Sequence, residues 1–176
     1  MAFLLQMAGF PGSGKTGLAE LIVVETGAIV IDRDVIKNAM LGFGLEAKIL
    51  AEVSYNITFE LAKKYINSGK SVIVDTPCFY KEIVERGVRL CEGTKVHYKY
   101  LECLVPCYEV IQSRLQSRQA LDTKIQTTTE ENYYRTFDQS IKPEHPTALT
   151  VDTSDFNKID IGAIVKYLKN EGKGFK

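Results

Sequence analysis

The stretch Phe3-Leu4-Leu5-Gln6-Met7-Ala8-Gly9-Phe10-Pro11-Gly12-Ser13-Gly14-Lys15-Thr16 is a short apolar run that feeds straight into the pattern GxxxxGK[ST]. A nucleoside triphosphate carries most of its charge on its phosphates. Backbone N–H groups at the start of a helix hold such charge without a side chain for each oxygen. Gly9, Gly12 and Gly14 lack the Cβ that disfavours positive-φ backbone and close approach to the phosphates. In this pattern Lys15 reaches the β- and γ-phosphates, and the Thr16 hydroxyl coordinates Mg²⁺. Gly9, Phe10, Pro11, Gly12, Ser13, Gly14, Lys15 and Thr16 are therefore the expected nucleotide-binding residues, with ATP and Mg²⁺ as the expected ligands. The preceding strand-like run and the helix-like segment through Thr26 supply the context that a chance glycine-rich turn lacks. The competing readings are such a turn, or another phosphate-bearing ligand such as coenzyme A.

Working outward, the chain has 176 residues, enough for one domain or one domain with a small mobile addition. Its 22 basic residues balance 22 acidic ones. No net positive field attracts a long polyanion, which weighs against tightly held DNA or RNA. Two histidines, His97 and His145, give a zinc site little material. Cys78, Cys91, Cys103 and Cys107 contain no CxxC pair and read as free thiols in a reducing compartment. Gly9-Phe10-Pro11-Gly12 interrupts the first apolar run, and no apolar stretch reaches the length of a membrane span, about 18 residues. The expectation is a soluble, cytoplasmic protein with no membrane partner.

The pattern alternates strand and helix. Strands are expected at Phe3–Ala8, Ala28–Ile31, Ser71–Asp75, Val96–Val105 and Thr147–Val151. Continuous rather than alternating hydrophobicity in the first and third suggests burial on both faces of a parallel sheet. The fourth alternates at its start, which predicts one exposed face there. Helices are expected at Lys15–Glu25, Val35–Leu41, Ala47–Asn67, Phe79–Cys91, from Pro106 to about Arg118, and Ile159–Leu168. Gly42-Phe43-Gly44 fits a hinge, a lid edge or a plain loop. This order predicts a three-layer α/β domain. Gln119–Ile141 is the least core-like interior stretch, with a threonine-rich cap before a short helix at Asn132–Ser140. It suits a mobile flap over a site, and an ordinary polar excursion looks the same.

Ligands of such sheets bind beyond the carboxyl ends of the strands. There the second strand offers Asp32 and Asp34. If the chain is still extended, alternate residues face one side, so Asp34 is the candidate to take a proton from an acceptor hydroxyl. Asp32 is then a candidate to hold a water on Mg²⁺; helix capping is the other role open to each. Asp75 closes the third strand as a metal-side or acceptor-side carboxylate. Arg114 and Arg118 share a helix face at the flap entrance, where arginines stabilise charge in phosphoryl transfer; a solvated face is the alternative. Acceptor specificity is assigned to side chains around Phe43, Tyr55, Phe79 and Tyr80.

Gly9 to Thr16, Asp34-Val35-Ile36-Lys37, Val74-Asp75-Thr76 and Arg114-Leu115-Gln116-Ser117-Arg118 resemble the ordered motifs of small P-loop kinases. The type is that of polynucleotide 5′-hydroxyl kinases, zeta toxins and chloramphenicol phosphotransferases, with an AAA-like ATP-binding domain. The resemblance spans about 3–153. It implies a five-stranded sheet in the order 2-3-1-4-5 and a single P-loop domain over 1–176 with a lid near 114–141. It also implies Asp34 as the acceptor-activating base, Arg114 and Arg118 as lid arginines, and a loop beside the adenine containing Asp152 and Thr153. Lys37, expected with Asp34 and Asp75 at the acceptor, stands where the polynucleotide kinases usually carry arginine. Lysine keeps the charge and loses the bidentate fork. With zero net charge, this favours a small hydroxylated molecule over nucleic acid.

Overall fold

The first strand, β1 (Phe3–Ala8), is buried along its whole length, as its mostly apolar, non-alternating character leads one to expect of a central strand. The computed structural model describes residues 1–78, 80–117, 127–138 and 148–170. In chain order β1 is followed by α1 (Lys15–Thr26), β2 (Ile29–Asp32), α2 (Arg33–Ala39), a 3₁₀ turn (Leu41–Phe43), α3 (Ala47–Asn67), β3 (Val72–Asp75) and α4 (Lys81–Cys91). Then come β4 (His97–Leu104), α5 (Tyr108–Ser117), α6 (Glu130–Asp138), β5 (Ala148–Asp152), a second 3₁₀ turn (Phe156–Lys158) and α7 (Ile161–Lys169). The strands form one parallel sheet in the order β2-β3-β1-β4-β5, the order that the resemblance implies.

Alternate β1 side chains serve two cores. Phe3, Leu5 and Met7 pack with Leu18 and Ile22 of α1 and Ile164 and Leu168 of α7. Leu4 and Ala8 pack on the other side with Ala62 and Ile66 of α3 and Val84 of α4. Gln6 is the polar exception in β1 and is fully buried. Its amide donates to Ile83 O at 2.9 Å and accepts from the Tyr98 hydroxyl at 2.6 Å, so burial leaves neither end unpaired. Gly87 on α4 leaves the space that this side chain fills.

Three details differ from the sequence reading. The start of β4 is not exposed on one face: Tyr98, Lys99 and Tyr100 are all buried. α7 covers that face, where Lys99 Nζ donates to Asn170 O at 2.8 Å and lies 4.8 Å from the centre of the Tyr167 ring. Its aliphatic stem can be buried because its ammonium reaches the carbonyls at a helix end. Pro106 does not open a helix; α5 begins at Tyr108. α6 starts two residues earlier than expected, with Thr129 Oγ1 accepting from Asn132 N at 3.2 Å. Among the described residues no helix is long and apolar enough to cross a membrane.

Candidate active site

The register fixes where the site lies. Met7 of β1 and Asp32 of β2 both pair with Asp75 of β3, so the three strands end side by side. The loop between β1 and α1 has Gly9 at φ 131°, Gly12 at φ 93° and Gly14 at φ 89°, conformations L side chains rarely adopt. Space is also limiting at Gly9, where a Cβ would meet Cys103 O and Ser13 Oγ, and at Gly14, where it would meet the Phe156 ring. Lys15 Nζ folds back over the loop, donating to Gly9 O at 2.9 Å and Phe10 O at 3.2 Å. Ser13 Oγ is buried without a hydrogen-bond partner among the described residues. A cradle of this kind suits a phosphate group.

Thr16 Oγ1 donates to Asp75 Oδ2 at 2.7 Å. Asp75 is buried at the end of β3, so the two oxygens converge directly behind the phosphate loop. They are hard donors of the type Mg²⁺ takes, usually together with substrate phosphates. Two thiols border this region. Burial pushes Cys78 and Cys103 up to about 12, although each feels the Lys15 charge in the opposite sense. Cys78 has a positive φ of 56° and is buried in the β3–α4 connection.

Asp32 and Asp34 do not share the face of an extended strand. α2 begins at Arg33, because Asp32 Oδ1 accepts from Asp34 N at 2.7 Å and Val35 N at 3.3 Å and caps the helix as soon as β2 ends. Asp34 therefore sits in the first turn of α2, with Lys37 one turn later. Arg33, which carried no role in the sequence reading, is buried. Its Nε donates to Ser54 Oγ at 3.0 Å, and its guanidinium lies 3.8 Å from the centre of the Tyr55 ring. The Tyr55 hydroxyl is raised by burial and opposed by the Arg33 charge; Cys78, Tyr80 and Asp34 add smaller contributions. Arg33 and Tyr55 thus join α2 to α3, and the Tyr55 hydroxyl is close enough to Cys78, Tyr80 and Asp34 to feel their charges. Phe43 is not buried with them and is 77 % exposed on its 3₁₀ turn. The sequence signal for Arg33 was its position between two strand-end aspartates.

On the other side of the loop, Arg114 of α5 donates through Nη2 to Thr153 O at 2.7 Å and Ser154 O at 2.8 Å, and through Nη1 to Gly12 O at 3.4 Å. Thr153 Oγ1 lies 2.5 Å from Ser13 O and 3.1 Å from Leu104 O. Asp152 Oδ1 accepts from Ser154 N at 2.8 Å, and hydrogen bonding from Ser154 holds its carboxyl below the usual carboxylate range. These bonds tie the loop after β5 to the phosphate loop. Tyr133 of α6 is buried against Phe10 in an edge-to-face pair 5.0 Å between centroids, and its hydroxyl donates to Val105 O. The described part of the expected flap thus rests on the phosphate loop. Arg118, Phe79, His145 and the flap residues 119–126 and 139–141 lie outside the described residues.

With this geometry in view, residues 4–139 match the family model described as an AAA domain, AAA_33. The chain belongs to this AAA domain family. Among solved structures, a candidate kinase from Chloroflexus aurantiacus is similar at 20 % identity and a TM-score of 0.76, covering 96 % of this chain and 97 % of that one. A sugar kinase from Janibacter sp. HTCC2649 is similar at 19 % identity and 0.67, covering 96 % and 95 %. The APS kinase of Mycobacterium tuberculosis, solved with AMPPNP and APS, is similar at 16 % identity and 0.62, covering 96 % and 98 %. These likenesses establish the α/β P-loop kinase fold of this AAA domain protein. No curated protein matches the chain significantly in sequence.

Proposed function

We propose that this AAA domain protein is an ATP- and Mg²⁺-dependent kinase that transfers the γ-phosphoryl group to a hydroxyl of a small molecule. The observation that carries the reading is the 2.7 Å bond between Thr16 and Asp75 behind the glycine loop, with Asp34 opening α2 at the neighbouring strand end. The amides of 9–16 and Lys15 bind the phosphates. Thr16 and Asp75 are the residues that would hold Mg²⁺, which when bound neutralises charge on the β- and γ-phosphate oxygens. Asp32 is the reserve carboxylate on that side, through a water, while it caps α2.

Asp34 orients the acceptor hydroxyl and takes its proton. The acceptor oxygen forms its bond to the γ-phosphorus as the bond to the β–γ bridging oxygen breaks, and ADP leaves. Lys37 contributes charge at the acceptor. Arg114 holds the loop containing Asp152 and Thr153, which receives the base, and the sequence assigns Arg118 to the transferred group. On this reading 1–176 works as a single domain in the cytoplasm, with 114–141 as its lid. Lys37 in place of arginine and the balanced charge support a small acceptor over a polynucleotide. The test is a transfer assay with ATP·Mg over sugars, hydroxy acids, nucleosides, aminoglycosides, chloramphenicol-like drugs and a short oligonucleotide. A phosphorylated small molecule is the expected product. Faster phosphorylation of the oligonucleotide 5′ end than of free nucleosides reverses the acceptor assignment, and tight ATP binding with no product from any alcohol overturns the kinase reading.

A further inference from the structure

Among the described residues three cationic side chains are buried: Lys15, Arg33 and Lys99. Two of them are satisfied by the main chain. Lys15 donates to the carbonyls of Gly9 and Phe10, and Lys99 to that of Asn170. Arg33 is different. Among the described residues its hydrogen bond is from Nε to the neutral hydroxyl of Ser54, whose own proton goes to Ala51 O at 2.7 Å. The flat guanidinium stacks on Tyr55 at 3.8 Å. Neither Nη has a carboxylate or carbonyl partner among the described residues, although the side chain is only 7 % exposed. A guanidinium presents a planar fork matched to two oxygens of one oxyanion. Neither Nη is among the fully buried side-chain atoms left without a partner, so the fork keeps an open edge while a ring face and a hydroxyl hold the rest of the group.

On the kinase reading, the start of α2, which carries Arg33 and Asp34, is the acceptor end of the site. Arg33 precedes Asp34, and the tyrosine beneath it has Cys78, Tyr80 and Asp34 as its electrostatic neighbours. We infer that Arg33 is the anion-binding residue of the acceptor site, so that the acceptor is a hydroxy compound carrying a carboxylate or phosphate group. Ser54 and Tyr55 position the guanidinium. The anionic group docks on the two Nη atoms while the hydroxyl is presented to Asp34. This inference rests on the kinase reading for the identity of the site and adds the class of substrate.

The test is calorimetric binding with the phosphate loop saturated by AMPPNP·Mg, so that the other anion site of the molecule is filled. The probes are matched pairs: glycerate against glycerol, gluconate against sorbitol, glycerol 3-phosphate against glycerol, and a nucleoside 3′-monophosphate against its nucleoside. At least one anionic member is expected to bind tenfold or more tightly than its neutral counterpart, and the carboxylate and phosphate arms tell which group is used. Arg33→Gln removes that preference and leaves AMPPNP affinity unchanged, while Arg33→Lys restores part of it. In the unsubstituted protein, the Arg33 Nε–H resonance shifts with the preferred anion and not with its neutral partner, a readout that needs no variant to fold. Equal binding of anionic and neutral partners, no binding by any anion, or a preference that survives Arg33→Gln overturns the inference. Binding of the anion at Arg33 without phosphoryl transfer to it counts against the kinase reading alone.

Discussion

Around the phosphate loop the polar groups are stitched to one another: Lys15 to two loop carbonyls, Thr16 to Asp75, Arg114 to three carbonyls, and Thr153 across to Ser13. Around α2 and the turn after it the surface is loose and apolar. Val35, Leu41, Phe43, Leu45 and Ile49 are all exposed, and Gly44 has φ 64° with open space around it. The two regions flank the same strand ends, and the first is the one tied together by side-chain to main-chain bonds, with Ser13 Oγ left as its unpartnered buried atom among the described residues. A half that binds a constant group such as a triphosphate is built in advance by backbone geometry. On the proposed reading, the half that recognises the acceptor keeps its charge and apolar surface for the ligand.

The comparison breaks most sharply at Lys15. Lys15→Ala should lower kcat/KM by about 10³-fold, the upper end of what one charge-stabilising donor contributes, with an unchanged circular dichroism spectrum. Retained turnover would mean that the stitched half is scaffolding only. On the loose side, Asp34→Asn should lower kcat by about 10²-fold, as expected for loss of a general base, while ATP affinity stays near that of the parent. Loss of ATP binding instead would move Asp34 to the nucleotide side. Arg114→Ala sharpens the boundary: steady-state kinetics with both substrates varied should show the KM for ATP rising about tenfold, equivalent to about 1.4 kcal/mol, with acceptor KM unaffected.

The smallest expected effect is on stability against pH. Burial raises the thiols of Cys78, Cys91 and Cys103 from an ordinary 9.0 to about 12. The folded protein therefore keeps protons that the unfolded chain loses above pH 9. Their contribution is complete below that pH and is lost as pH rises toward 12. Denaturant midpoints measured from pH 7 to 10.5 should be flat at first and then fall, and triple substitution by alanine should flatten the fall. An unchanged slope in that variant would assign the alkaline loss to other groups.

The stitched half was the more legible in sequence, because its geometry follows from glycine spacing after an apolar run. Lys15 and Thr16 stand at fixed places in that spacing, whereas the strand order is what the family resemblance implies and the structure shows it. What misled was context supplied from far along the chain. Lys99 in an alternating stretch reads as solvent-facing until α7 brings the carbonyl of Asn170 to it. For Asp32 and Asp34 the sequence leaves a shared extended face and helix capping both open, and the bond from Asp34 N to Asp32 decides for the cap. Nothing near Arg33 in the sequence marks it as buried. Only the fold reveals Ser54 and Tyr55, on a helix two elements later, closing over it. The Tyr133–Phe10 contact is equally hidden, since α6 is mostly polar in sequence while the Tyr133 ring is buried against Phe10.

The aromatic ring of Phe156 occupies the volume in which a Cβ on Gly14 would lie, and it also borders Gly17. The 3₁₀ turn after β5 is thereby keyed to the first turn of α1 as a tooth is to a notch. If the loop before that turn receives the base, the span from base to phosphate cradle is set by the protein before any nucleotide arrives. The molecule then works as a gauge, accepting a ligand by its length as well as by its charge.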